Sequence, residues 1–499
     1  MNQLPCTSFC ICWHNLSKSR QKTPTSTSGG MNASSFFVKN ADFFHKYRLL
    51  YIYGAILSVM ETSIHGKEEK TIYLTVKQQV KNLSKDQYGI LRELTHTAKN
   101  LANQAIYNIR QHFFANGGYL SYESNYKLLK TSENYRILNS NMAQQILKEV
   151  DGMFRSFFGQ LKLVREGKYD AKKCRIPGYL PKDGFTTLII AEFRLDGNEL
   201  LLPYSRSYKK EHRSITFKTP PILTGKTVKE IRIIPKADAR FFEVQYSYEA
   251  ECAQRKTNTQ HALALDFGID NLMTAVSSEG DSFIIDGKRL KSVNQRCNKA
   301  IARYQSFKDR FGQGDGNTKR QDSIWKNRNN VVNDYIGKAA RMVIRYCLEH
   351  DVSVLVVGYN EMFQKKANMG RRNNQTFVNI PFGRLYAKLE YLCELYGLTF
   401  VRQEESYTSK ASFWDRDDMP VYQPGQEETH EFSGKRIHRG MYRTREGKLL
   451  NADVNGALNI LRKRNVVDLT VLYGKGAVNT PVRLTVFQKK TVKDRFKTL

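Results

Sequence analysis

Two aspartates carry the strongest chemical signal in this chain. Asp266 closes the apolar run His261-Ala-Leu-Ala-Leu-Asp-Phe-Gly-Ile-Asp-Asn-Leu-Met-Thr-Ala-Val276, and Asp453 lies far downstream in Asn451-Ala-Asp-Val-Asn-Gly-Ala-Leu-Asn-Ile460. A lone carboxylate removed from water is costly unless a cation or a proton compensates it, so the pair suggests a metal-dependent site. Carboxylate oxygens suit Mg²⁺, or Mn²⁺, which keeps oxygen ligands and several waters. Each residue has a blander reading when taken singly. Asp453 could cap a helix, and Asp266 could serve the turn before Gly268.

Charge narrows the chemistry. The 499 residues hold 79 Lys plus Arg against 48 Asp plus Glu, a formal charge of +31. That excess is too basic for an ordinary metabolic enzyme and points to a polyanionic partner. The eight cysteines, at positions 6, 10, 12, 174, 252, 297, 347 and 393, form no CxxC pair. Neither a disulfide scaffold nor a cysteine-ligated zinc site is expected, and a reducing, cytoplasmic setting fits. The longest apolar stretch, 49–60, is short for a membrane span. Residues 1–59, rich in Ser, Thr, Asn and Cys at their start, read as a poorly ordered extension or an over-extended start.

The elements that must position the two aspartates follow from periodicity. Residues 70–76 alternate like a strand, and a helical pattern runs from Ser84 through Leu91, Leu94, Ala98, Leu101, Ala105 and Ile109. A second helical block spans 141–165, with Ile146, Val150, Phe154, Phe157 and Leu161 on one face. Short β segments then fill 186–248, the texture of a small barrel or sandwich interrupted by the helical block. From His261 the pattern becomes α/β. Three strands at 262–266, 271–276 and 282–285 form a meander, and helices are expected at 290–310 and 325–350. The buried strand 352–357, a helix at 381–396, a strand at 399–401 and a closing helix at 453–464 complete it, with 405–450 irregular. Carboxylates on the first strand and the last helix of such a unit are what an RNase H-like nuclease needs to hold two ions across a phosphodiester.

Three segments resemble one family. Leu265-Asp-Phe-Gly-Ile-Asp-Asn-Leu272, Glu405-Ser-Tyr-Thr-Ser-Lys410 and Asn451-Ala-Asp-Val-Asn-Gly-Ala-Leu-Asn-Ile-Leu461 are similar in order and spacing to the transposon-encoded TnpB, or OrfB, proteins. The resemblance covers roughly 60–465 and extends to the Fanzor proteins and type V CRISPR effectors. It implies an α+β multidomain chain: a β-barrel at 60–81 and 166–255, a helical recognition insertion at 82–165, and a RuvC-like nuclease domain at 256–404 and 451–466. An insert at 405–450 that binds the target strand and a tail at 467–499 complete the division. The implied activity is RNA-guided, divalent-metal-dependent DNA cleavage, with a guide RNA from the transposon end and double-stranded DNA as partners and a homodimer held open. The implied setting is the prokaryotic cytoplasm, on the nucleoid when DNA is bound.

The chain departs from that family pattern twice. The usual zinc ribbon after Thr408-Ser-Lys410 is missing, since 408–420 holds no cysteine, so no structural zinc is expected; Asp415, Asp417, His430 and His438 leave room for another ion. The glutamate that usually follows the buried strand is replaced by Gly358. Glu405 is the preferred substitute, Glu361 the alternative, and a site without a working third carboxylate stands beside both. The expected catalytic and metal-holding set is therefore Asp266, Glu405 and Asp453. Backbone contacts to nucleic acid are expected from Lys365, Lys366, Arg371, Arg372, Lys410, Lys435, Arg436, Arg439 and Arg443. The competing readings are a nuclease-dead RNA-guided DNA-binding protein and, last, a strand-joining transposase, for which no His-hydrophobe-His motif with a catalytic Tyr is evident.

Overall fold

The computed structural model describes residues 71–253, 261–312, 314–360, 379–422 and 430–486. They form two compact units that divide at Ala250 and Glu251.

The first unit is built from β1 (Thr71–Gln79), α1 (Lys85–Asn116), α2 (Tyr122–Leu129), α3 (Glu133–Ile137), α4 (Ser140–Arg165), β2 (Leu188–Ile190), β3 (Leu195–Asp196), β4 (Glu199–Leu201), α5 (Arg206–Glu211), β5 (Thr216–Lys218), β6 (Val228–Lys236) and β7 (Phe241–Glu251). A capping box between Ser84 and Gln87 starts α1, and Gly117, at φ 66°, ends it in the left-handed region that glycine enters without strain. Its Leu91, Leu94, Ala98, Leu101 and Ile106 are buried, as are Ile146, Val150 and Phe154 of α4. Their three- and four-residue spacing gives each helix one apolar face. The strands form two sheets, in the orders β1-β7-β6-β2 and β3-β4-β5.

These sheets correct the barrel expectation: no closed barrel forms among the described residues. Closure needs continuous staggered pairing around the sheet. Here β2 through β5 are only two or three residues long, so each sheet stays open.

The second unit contains β8 (Ala262–Phe267), β9 (Asn271–Ser277), β10 (Ser282–Asp286), α6 (Lys288–Arg310), α7 (Lys319–Glu349), β11 (Val354–Tyr359), α8 (Phe382–Tyr396), β12 (Thr399–Glu404), β13 (Lys435–His438), β14 (Met441–Arg443), β15 (Leu449–Asn451), α9 (Ala452–Arg464) and β16 (Val482–Leu484). Its main sheet has the order β12-β11-β8-β9-β10-β16. β8 pairs antiparallel with β9 and parallel with β11, and β11 pairs parallel with β12.

Strand alternation sorts this sheet into two faces. Leu263, Leu265, Leu355 and Val357 pack with Val332, Ile336 and Val343 of α7 and Leu385 and Leu389 of α8. Ala262, Ala264 and Val356 pack on the other side with Val454, Ala457, Leu458 and Leu461 of α9. The even-numbered positions of β8 and β11 thus face α9, and the alanines among them let that helix lie close. Burial on both faces explains why these strands read as unbroken apolar runs.

Two segments differ from the sequence reading. The irregular stretch ends in a three-stranded sheet, β13-β14-β15, and the tail returns β16 to the main sheet beside β10. Both use strands of three or four residues, too short to show a period.

Candidate active site

Asp266 is the third even-numbered residue of β8 and so faces α9. A Cβ added to Gly456 would lie 2.8 Å from its Oδ2, so the glycine leaves the space that the carboxylate enters. Gly358 is the corresponding position of β11. A Cβ there would meet Ile460 Cδ1 at 2.6 Å, Glu405 Oε2 at 2.7 Å and Leu265 O at 3.4 Å. The side chain of Glu405 therefore reaches into the space beside the strand end that bears Asp266, where Gly358 has no side chain of its own.

The register at the end of β12 separates the tandem glutamates. Glu404 pairs with Tyr359 in the ladder and turns to Lys463 of α9, whose Nζ lies 2.6 Å from its Oε2. Ser406 N also donates to Glu404, at 2.5 Å. These donors hold the Glu404 carboxyl below its ordinary pKa, against the opposing effect of burial. Its neighbour Glu405 places Oε2 beside Gly358 instead, where no cation pairs with it among the described residues.

Three residues of α9 and its N-cap organise the rest. Asn451 is the N-cap, accepting from Asp453 N and Val454 N, so Asp453 is not the cap but an acid of the first turn, favoured there by the helix dipole. Asn455 and Asn459, one turn apart and fully buried, fasten the segment after Glu405. Asn455 accepts from Phe413 N at 3.0 Å and donates to Ala411 O at 2.8 Å. Asn459 donates to Thr408 O at 2.9 Å and Ala411 O at 2.7 Å. Leaving those backbone groups unpaired in the interior would cost about 1–3 kcal/mol each.

The electrostatics describe three acids in one field. Burial, then the charges of Glu405 and Asp453, push the Asp266 carboxyl well above its ordinary range; Arg436 partly opposes them. Burial, then Glu404, push Glu405 up to about 7. The phenol of Tyr386, on α8, is likewise driven upward by burial and by Glu405 and Asp266, and so stays protonated.

Cations reach this cluster from the insert. Arg436 donates to Asp453 Oδ1 at 2.9 Å, and Asn271 Nδ2 donates to its Oδ2 at 2.5 Å. Arg439 pairs with Asp270, which also meets Lys291 Nζ at 3.0 Å. Both arginines, expected on phosphate, stand on carboxylates here. Lys435 and Arg443 are exposed cross-strand partners, and Lys410 lies over the Tyr407 ring at 6.0 Å. Glu361, Lys365, Lys366, Arg371 and Arg372 lie outside the described residues. Asp415 and Asp417 act as turn staples, accepting from Arg445 N and from Ser412 N and Ser433 N.

Among the described residues, no group of three or more His, Cys, Asp or Glu side chains stands at metal-holding spacing. The donor chemistry nonetheless fits a hard divalent ion. Asp266, Glu405 and Asp453 offer only oxygen, two of them are destabilised as anions, and a guanidinium stands where a cation would neutralise Asp453. Sequence reasoning missed Asn271, Tyr386 and the space-making Gly456. Asn271 was visible only as part of the Leu265–Leu272 motif, and Tyr386 gave no signal.

Comparisons with known proteins agree on the region. A family model described as a probable transposase, OrfB_IS605, matches residues 244–364, and the Cas12f1-like TNB domain matches 382–460. The TnpB-like protein ORF457 of Acidianus two-tailed virus is 25% identical over 413 residues, 75% of this chain and 83% of that protein. Among solved structures, a Cas12f1–sgRNA–target DNA complex matches at 13% identity and TM-score 0.47, over 76% of this chain and 83% of that one. A CRISPR–Cas12f ternary complex matches at 13% identity and TM-score 0.28, over 74% and 80%. No helix among the described residues is long and apolar enough to cross a membrane.

Proposed function

Because the chain belongs to the TnpB family of transposon-encoded proteins, we propose that it is an RNA-guided, divalent-metal-dependent DNA endonuclease whose RuvC-like centre is Asp266, Glu405 and Asp453. The observation that carries this reading is the space at Gly358, entered by the Glu405 carboxylate beside the strand end that bears Asp266. On this reading a glutamate supplied from just beyond β12 takes the place of one at position 358. The order β12-β11-β8-β9-β10 supports the RNase H-like assignment of the sheet.

Mg²⁺ or Mn²⁺ ions, when bound, stabilise the attacking and leaving oxygens of a phosphodiester. The chain's own residues prepare that site. Asn455 and Asn459 fix the segment after Glu405, Asn271 orients Asp453, and Gly456 lets α9 approach β8. Arg436 neutralises Asp453 and Arg439 neutralises Asp270; both would be available to phosphate where a bound cation supplied that charge instead, as would Lys410, Lys435 and Arg443 of the same insert. Guide RNA and duplex DNA are the partners, sequence being read by base pairing.

A second reading, RNA-guided DNA binding without cleavage, is favoured by the absence of metal-holding spacing among the described residues and by the guanidinium on Asp453. One experiment separates the two. The chain is co-expressed with the DNA flanking its gene on the 3′ side, its bound RNA is sequenced, and the complex is given a matching duplex with Mg²⁺. Cleavage that Asp266→Ala abolishes supports the enzyme; identical behaviour of wild type and Asp266→Ala sinks it.

A further inference from the structure

The polar face of α1 carries amides where a solvated helix face ordinarily carries charge. Asn100, Asn103, Gln104, Tyr107 and Asn108 recur at intervals of three and four and so share one side of the helix. They line a cleft of about 590 Å³, within the range of small-ligand sites. Leu129, Asn134 and Tyr179 complete its wall, and none of the lining side chains is charged.

The wall is fastened rather than loose. Asn103 exchanges two hydrogen bonds with the backbone of Leu180, at 3.0 and 2.8 Å. Arg110 donates to Pro177 O at 2.9 Å, and its guanidinium lies 5.2 Å from the Tyr179 ring centre. Asn108 donates to Asn125 of α2 at 3.0 Å. Gln104 Oε1, by contrast, is buried with no hydrogen-bond partner. A buried acceptor left unpaired is costly, and the broad terminal torsion of glutamine lets it turn toward a donor in the cleft.

We propose that this cleft takes an unpaired nucleobase of RNA. A base edge presents adjacent donors and acceptors that amides match, and its faces stack on tyrosine. A charged ligand would find no counter-charge in the lining, and an apolar one would leave the amides unpaired. A paired base hides the edge that the amides read. Tyr107 and Tyr179, 53% and 49% exposed, offer ring faces, and Arg110 beside Tyr179 can meet the adjoining phosphate. The inference deepens the RNA-guided reading and rests on it for the choice of polymer.

The test uses the full chain and three labelled probes of equal charge: an adenine RNA decamer, an abasic RNA decamer, and the adenine decamer with one central 2-aminopurine. Wild type should bind the adenine decamer about tenfold more tightly than the abasic one, with 2-aminopurine emission quenched on binding. Gln104→Ala and Tyr107→Ala should each remove most of that preference while abasic binding and its salt dependence stay unchanged. Tyr107 is exposed, so its truncation opens no core cavity and keeps a folded variant available. Equal affinity for the adenine and abasic decamers, or quenching that survives in both variants, overturns the assignment. Guided cleavage is scored separately. Loss of base preference with Asp266-dependent cutting intact removes only the cleft, whereas base preference without Asp266-dependent cutting removes only the nuclease reading.

Discussion

Adding one methyl group at Gly358 tests the proposed site most directly. In Gly358→Ala the new Cβ would lie 2.6 Å from Ile460 Cδ1 and 2.7 Å from Glu405 Oε2, where ordinary contact starts at 3.4 Å. Both groups are tips of flexible side chains, and they must retreat by roughly 0.8 and 0.7 Å respectively to restore normal packing. Overpacking of this kind costs about 1–3 kcal/mol, and replacing a strand glycine returns about 0.5–1 kcal/mol. The melting temperature should therefore fall only by a few degrees. Cleavage should fall much further, because moving a reacting group by about 1 Å can cost on the order of 100-fold. Single-turnover cleavage of a matched duplex by the guide-loaded complex, with calorimetry on the same preparation, measures both effects. Gly358→Glu combined with Glu405→Ala removes the carboxyl tip that meets position 358, supplies the carboxylate from the strand itself and should recover at least about tenfold of the rate lost in Gly358→Ala. Wild-type cleavage by Gly358→Ala would falsify the assignment of Glu405, whatever happened to its stability.

Three further outcomes are expected. Glu405 titrates near 7 in the folded chain and at 4.5 ordinarily, so the metal-free protein binds the extra proton between those values. Stability is greatest below about pH 4.5 for this group and is lost as pH rises through 7, by up to roughly 3 kcal/mol. Glu405→Gln should flatten that part of the melting temperature against pH, and an unchanged slope would contradict the burial of this acid. Arg436→Ala frees Asp453 Oδ1; because Arg436 is half exposed, calorimetric Mn²⁺ binding without nucleic acid should tighten only about fivefold, and weaker binding would show that the arginine helps to build the site. Asn455→Leu leaves Phe413 N without a partner and removes one of the two donors to Ala411 O, Asn459 remaining, so chemical denaturation should register a loss of about 1–3 kcal/mol, and near-neutral stability would mean that α9 does not hold that segment.

Much of the second unit was legible in the sequence because its elements are long and periodic. The apolar run ending at Asp266, the buried strand before Gly358 and the helix carrying Asp453 stand where periodicity puts them. The first unit's two long helices were legible for the same reason. Its sheets were not: strands of two or three residues carry too few alternations to specify pairing, and the expected barrel is two open sheets. The hairpin strands at 435–443 and the returning strand Val482–Leu484 were hidden likewise.

By itself the sequence determined a strongly basic chain, two distant aspartates in apolar elements, the lack of any CxxC pair and a glycine at the end of the buried strand. Residue types and local periods suffice for these. Where Glu404 and Glu405 each reach was decided only by the tertiary structure. Glu404 and Glu405 are chemically identical and adjacent, yet one meets Lys463 and the other enters the space beside Gly358. The same holds for Asn271, Arg436 and Gly456, whose meaning lies in partners up to 190 residues away in the chain. Contacts of that separation are set by sheet order and helix packing, which no local pattern records.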